Sequence, residues 1–101
     1  METREVFGKR ITRFELARVV GARALQLALG APPLVDVNNI GILDPVAIAI
    51  AELLEGALPM SVRRRTSDGR YELVPVRELL TDGVKRYLRS LLESWRASSR
   101  T

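Results

Sequence analysis

The chain has 101 residues, of which 47% are hydrophobic and 28% charged; this fits one folded domain and is too aliphatic for a disordered protein. It contains no cysteine and no histidine, which excludes disulfides, thiolate nucleophiles, cysteine metal sites and histidine bases. The net charge of +4 is carried mostly by arginine and suits an acidic partner, either nucleic acid or an acidic protein surface.

The first ten residues, METREVFGKR, are charged where a signal peptide would be apolar. No segment approaches the roughly 20 uninterrupted apolar residues of a membrane span. We therefore expect a flexible segment over residues 1–10, no membrane contact and a cytoplasmic protein.

A helix is predicted from about Arg13 to Leu29. Thr12 followed by Glu15 has the spacing of a capping box, in which each side chain accepts a hydrogen bond from the other residue's amide. Gly30 and the two prolines after it provide the stop signal.

This helix carries small residues on one stripe and three arginines. Ala17, Gly21, Ala24 and Ala28 recur at steps of four, three and four, and would let another backbone approach closely, from the second helix or from a partner. Arg13, Arg18 and Arg23 either keep their charged ends in water or meet a partner. At about 100° per residue, Arg13 and Arg23 lie within about 80° of each other, so one partner could contact both.

Residues 31–43 are predicted to form a loop with an extended piece at Leu34–Val37. Asp44 and Pro45 then begin a second helix, which ends near Glu55 before Gly56. Its run VAIAIAELL is apolar nearly all round, which predicts burial on several sides.

From Leu58 to Val76 the hydrophobic period is two, and Asp68–Gly69 marks the turn of a β-hairpin. Pro75 indicates an edge strand. The run Arg63–Arg65 is either a solvated strand end or a contact for acidic protein or phosphate. Since side chains alternate along a strand, at most two of these arginines can act together.

The last predicted element is an amphipathic helix beginning near Asp82. Its apolar face comprises Val84, Tyr87, Leu88, Leu91, Leu92 and Trp95. This face could pack back on the domain, dock in a partner's groove or lie on a membrane surface. The sequence thus predicts a small single α+β domain with two central helices, a hairpin and a C-terminal helix.

Motifs of catalysis are missing from the sequence. There is no phosphate-binding glycine loop, no dinucleotide fingerprint and no close metal-ligand cluster. Asp44, Asp68 and Asp82 each have a local role as cap or turn residue. We expect neither an active site nor a cofactor, metal or small-molecule substrate.

An ordered series of motifs resembles the archaeal RNA polymerase subunit K family, which corresponds to the sixth common subunit of eukaryotic polymerases and to bacterial omega. The series is TRFELARVVGARALQLALGAPPLV, then DPVAIAIAELLEGALPMSVRR, then DGRYELVPVREL. The similarity runs from about Ile11 to Leu79. It divides the chain into an omega-like domain at 11–80, a helical extension at 81–97 and a frayed tail at 98–101.

The resemblance implies a non-catalytic subunit that wraps and stabilises the largest subunit of a DNA-directed RNA polymerase and promotes its assembly. It implies only indirect or weak contact with DNA or RNA. The partner-binding residues that it implies are Thr12, Arg13, Phe14, Glu15, Arg18, Gly21, Arg23, Ala24, Gln26, Pro59, Arg63 and Arg64.

The alternative is a free-standing basic nucleic-acid-binding protein, favoured by the net charge and the arginine run. Against it, only five residues are Phe, Tyr or Trp, too few for aromatic residues interleaved with basic ones along the chain. A free binder should hold nucleic acid with a steep salt dependence, whereas a polymerase subunit should have little such affinity alone.

Overall fold

The computed structural model describes residues 10–41 and 43–99. Its elements are α1 (Arg13–Ala28), α2 (Val37–Ile40), α3 (Pro45–Leu54), β1 (Ser61–Arg65), β2 (Tyr71–Pro75), a 3-10 helix (Val76–Leu79) and α4 (Asp82–Ser99). The predicted α+β class is confirmed. In the part of the chain described here, no helix combines the length and the apolar character needed to cross a membrane.

The capping box of α1 forms as predicted. Thr12 Oγ1 accepts a hydrogen bond from the Glu15 amide at 3.0 Å, and Glu15 Oε1 accepts one from the Thr12 amide at 2.9 Å. After the C-cap at Leu29, Gly30 has φ of 107°, which only glycine adopts easily. The chain therefore turns away from the helix axis at the predicted position.

Helix α3 lies at the centre of the core. Asp44 Oδ1 caps its first turn by accepting from the amides of Val46 and Ala47, at 2.8 and 3.3 Å. Every residue from Ala47 to Leu53 is buried, and both α1 and α4 pack against this helix. The predicted burial on several sides is confirmed.

The hairpin pairs β1 with β2 in antiparallel register, with Val62 opposite Val74 and the turn at Gly69. Val62 enters the core, and the following 3-10 helix buries Val76 and Leu79. The carbonyl of Leu79 accepts a hydrogen bond from the Ile11 amide at 2.9 Å. The exit of the hairpin is thereby joined to the entrance of α1.

Helix α4 packs its apolar face on the domain, which is the simplest of the three alternatives that the sequence left open. Leu88 and Leu92 are buried in the same core as α3. Tyr87 stays exposed, and Leu91 and Trp95 are only half-buried.

One prediction about a connection is wrong, and the last helix is longer than the extension predicted at 81–97. Residues 34–37 do not form one extended piece: Leu34 and Val35 lie in a bend, and the Asp36 side chain accepts from the Asn38 amide at 3.0 Å and caps the one-turn helix α2, which begins at Val37. The helix α4 continues through Ser99, two residues into the expected frayed tail. The rest of that tail, and the expected flexible segment except Arg10, lie outside the described residues.

Candidate functional site

A buried ion pair joins α1 to α3. Arg23 Nε and Nη2 donate to Glu52 Oε1 and Oε2 at 2.5 and 3.0 Å, a bidentate arrangement. Glu52 has no exposed surface and Arg23 is 7% exposed. Hydrogen bonding to the carboxylate holds the pKa of Arg23 above its ordinary value, against the opposing effect of burial. Arg23 therefore keeps its positive charge inside the protein.

The same pair holds the loop that follows α1. Arg23 Nη2 also donates to the carbonyl of Pro32 at 3.0 Å, and Nη1 donates to Gln26 Oε1 at 3.1 Å. The Leu34 amide donates to Glu52 Oε2 at 2.7 Å. The cluster thus satisfies backbone groups that the proline-rich loop leaves without partners of its own.

This geometry corrects the expectation for Arg23. Its guanidinium is used within the domain, so Arg23 and Arg13 do not form one partner-binding surface as their angular spacing suggested. Arg13 is exposed at the rim of a groove, whereas Arg23 points into the interior. Gln26 supports the ion pair and Ala24 is buried, so both have structural positions here.

A second ion pair ties β1 to the start of α1. Arg64 Nη2 and Nε donate to Glu15 Oε1 and Oε2 at 2.6 and 3.1 Å, and Nη2 also donates to the Arg10 carbonyl at 2.7 Å. These bonds lower the pKa of Glu15, with burial opposing and the backbone bond from Thr12 adding to the effect. In this structure Arg64 and Glu15 therefore stabilise the fold by joining β1 to the start of α1.

Apolar side chains remain exposed on the side of α1 away from α3. We call this surface the outer α1 face; Phe14, Leu25 and Leu29 on it are 71%, 61% and 80% exposed. It also comprises Arg18 and Gly21, and the five residues are spaced by three or four along the helix. The Arg18 Cζ atom lies 5.6 Å from the centre of the Phe14 ring, a cation–π distance.

The small stripe does not bring α1 close to α3. A Cβ atom built at Gly21 would meet no atom within 4 Å, so this glycine faces open space. Of the four stripe residues only Ala24 is buried. The expectation that the stripe packs on the second helix is therefore wrong, and its use by a partner stays a prediction.

A groove of about 650 Å³ runs between α1 and α4. Ala17 and Val20 line its α1 side, and Tyr87 and Trp95 line its α4 side. Phe14 and Ala17 are three positions apart, which makes them neighbours on the helix surface. The groove and the outer α1 face thus form one continuous, largely apolar surface.

The exposed side of the hairpin is cationic and aromatic. We define the hairpin face as Arg63, Arg65, Tyr71 and Leu73; the register places Arg65 opposite Tyr71 and Arg63 opposite Leu73. Arg63 Cζ lies 4.4 Å and Arg65 Cζ 6.0 Å from the centre of the Tyr71 ring. Arg64 is on the other side, as strand alternation predicted.

The sequence prediction missed three residues of these sites. Glu52 was not singled out within the apolar run of the second helix, although a lone carboxylate in such a run indicates a buried ion pair. Leu25 was not distinguished from core residues. The contact of Tyr71 with arginines was missed because those arginines lie on the other strand of the hairpin, and the sequence analysis looked only for aromatic and basic residues alternating along the chain. Among the predicted contacts, Pro59 and Arg63 are exposed and Thr12 is the exposed cap of α1.

Comparisons with known proteins agree on one family. The family model described as RNA polymerase Rpb6 matches residues 8–60. A protein of Pyrobaculum aerophilum named DNA-directed RNA polymerase subunit Rpo6 is 48% identical over 77 residues, covering 76% of this chain and 73% of that protein. A protein of the same name from Sulfurisphaera tokodaii is 48% identical over 75 residues, covering 74% and 87%.

Proposed function

The chain belongs to the Rpb6 family and is a subunit of a DNA-directed RNA polymerase, and on this premise we propose that it binds the largest polymerase subunit through the outer α1 face. In this proposal it wraps and stabilises that subunit and promotes its assembly into the enzyme. The resemblance found in the sequence is confirmed at the level of the family.

The observation that carries the proposal is the exposure of Phe14, Leu25 and Leu29 on one side of a helix whose other side is packed. Isolated exposed apolar residues are ordinary, but a contiguous row along a rigid helix is typical of a protein–protein contact. The row lies within residues 8–60, the part that the family model matches. Large apolar side chains there would be buried by the partner.

Polar groups on the same face suit a protein partner. Arg18 is held near the Phe14 ring, so less conformational entropy is lost when its planar group donates to an acidic side chain or a carbonyl of the partner. Gly21 lies between Arg18 and Leu25 and leaves space for a side chain or backbone of the partner to approach. These features support close packing of a partner on α1.

The role we propose is non-catalytic. The residues assembled on the outer α1 face are apolar or arginine, and none of them is a nucleophile or a base near neutral pH. The chain would contribute to transcription by holding the catalytic subunit in its assembled form. We propose that it does so in the cytoplasm, together with the polymerase.

The test compares two exposed leucines. Leu25→Glu changes the outer α1 face, and Leu43→Glu, at a position that is 79% exposed, is the matched control outside it. Tagged full-length chains are expressed in the native host, purified after nuclease treatment, and the largest polymerase subunit is quantified in the eluate by mass spectrometry. Circular dichroism checks that both variants keep the helical content of the unchanged protein.

We expect Leu25→Glu to reduce recovery of the largest subunit at least tenfold, since a central interface residue contributes about 1.4 kcal/mol or more. Leu43→Glu should leave recovery unchanged. Equal recovery with both variants would refute the outer α1 face as the contact. Absence of polymerase subunits with the unchanged chain would refute assembly itself.

A further inference from the structure

We propose that the hairpin face binds single-stranded RNA, with Arg63 and Arg65 contacting phosphates and the Arg63–Tyr71 stack receiving a base. The proposal rests on the proposed function, because assembly into the polymerase would bring the chain to the enzyme that makes RNA. It concerns a different surface from the outer α1 face. β1 begins at Ser61, just beyond the residues that the family model matches.

The two arginines are available to an anion. Within the described residues, no carboxylate forms an ion pair with Arg63 or Arg65. Asp68, at the turn, pairs with Arg70, and Glu72 lies on the opposite side of the strand. Among residues 10–41 and 43–99, the hairpin face therefore carries positive charge without a counter-ion.

The tyrosine orders these arginines. With both Cζ atoms within 6.0 Å of the Tyr71 ring centre, the guanidinium groups are held by cation–π contact while their N–H donors remain free for phosphate oxygens. Positions 63 and 65 are two residues apart on a strand, or about 6.7 Å. One flexible strand can present two phosphates to both arginines.

Stacking favours single-stranded RNA over other polyanions. Tyr71 is 57% exposed, and bases of single strands stack on aromatic rings and on arginine planes. A duplex keeps its base faces covered by neighbouring pairs, and an acidic peptide has no ring to stack. The hairpin register thus brings together the alternation of aromatic and basic groups that the linear sequence lacks.

Two phosphate contacts predict weak, salt-sensitive binding. For single strands the slope of log K against log salt is about −0.7 per phosphate, so raising the salt from about 50 to about 200 mM should weaken binding roughly sevenfold. Weak binding agrees with the expectation that contact of this subunit with nucleic acid is only indirect or weak.

The experiment measures fluorescence anisotropy of a labelled oligouridine of about 12 nucleotides with the full-length chain. The double variant R63Q/R65Q removes both charges, and R86Q/R89Q removes two exposed charges from α4 as the matched control. Tyr71→Leu keeps a strand-compatible side chain but removes the ring. A DNA duplex of the same length and polyglutamate serve as competitors.

We expect R63Q/R65Q to abolish most of the binding and its salt dependence, R86Q/R89Q to retain it, and Tyr71→Leu to weaken it at least about fivefold. Equal losses in the two double variants, unchanged binding by Tyr71→Leu, or displacement by duplex or polyglutamate as effective as by unlabelled oligouridine would overturn the proposal.

The nuclease-treated pull-down separates this proposal from the preceding one. Tyr71→Leu should still recover the largest polymerase subunit, because Tyr71 lies outside both the outer α1 face and the partner-binding residues that the resemblance implies. Recovery of polymerase by an unchanged chain that shows no RNA affinity would overturn the RNA site alone. RNA binding by a chain that recovers no polymerase would overturn the proposed function and leave the RNA site supported.

Discussion

Replacing Glu52 by glutamine should destabilise the domain severely. The carboxylate accepts hydrogen bonds from Arg23 Nε, Arg23 Nη2 and the Leu34 amide, all at 3.0 Å or less. Glutamine keeps the volume but offers one acceptor oxygen, and its NH₂ group would face donors. Arg23 would then be a buried cation without its counter-ion.

The expected loss follows from that burial. Removing one partner of a buried pair costs about 3–5 kcal/mol, a large part of the roughly 5–15 kcal/mol that stabilises a small domain. For a domain of this size about 1 kcal/mol corresponds to 4 °C or more, so the melting temperature should fall by at least about 12 °C.

The assay is thermal and urea unfolding at neutral pH, followed by circular dichroism. Glu55→Gln is the control, because Glu55 is exposed at the end of the same helix and its loss should stay within about 0.5 kcal/mol. In a double-mutant cycle with Arg23→Gln, the double variant should lose about 1 kcal/mol or more less stability than the sum of the two single losses. A loss below about 1 kcal/mol for Glu52→Gln, or additive losses, would refute the role assigned to this pair.

Two further predictions concern α1. The ion pair with Arg64 gives Glu15 a lower pKa in the folded than in the unfolded state, so the pair stabilises the fold at pH values above the ordinary pKa of 4.5. This stabilisation is lost as the pH falls through the folded-state pKa. Arg64→Gln should therefore flatten the acid limb of a curve of stability against pH, and an unchanged acid limb would contradict the role of the pair. Gly21→Ala should raise the free energy of unfolding by about 0.5–1 kcal/mol, because its Cβ meets open space in a helix, whereas a lower value in urea unfolding would indicate a close contact there.

Local signals explain which parts of the fold could be predicted. Caps, turns and periodicity depend on residues a few positions apart, which is why α1, α3, the hairpin and α4 begin close to where the sequence placed them. The extended piece predicted at residues 34–37 was wrong because one hydrogen bond, accepted by the Asp36 side chain, decides between an extended segment and a helical turn. Packing of the small stripe on the second helix was wrongly predicted, because spacing identifies a face of a helix without identifying what covers it.

The site depended on longer-range contacts. Pairing Arg23 with Glu52 requires α1 to lie on α3, since the two residues are 29 positions apart. Placing Tyr71 beside Arg63 requires the register of the hairpin. The resemblance to a family supplied the protein's class, but it assigned Arg23 and Arg64 to a partner, and the structure uses both within the chain.

The arginines of α1 occupy three different environments on one helix. Arg23 is inside with a carboxylate, Arg13 lies at the groove, and Arg18 is out on the exposed apolar row. A helix that is packed on one side and apolar on the other can pack its exposed side against a second protein. Burying Phe14, Leu25 and Leu29 contributes about 1.5–3 kcal/mol for each side chain that is fully covered, before the cost of association. If the outer α1 face binds the largest subunit as proposed, that gain is made only on assembly, because these three side chains are exposed in the isolated chain.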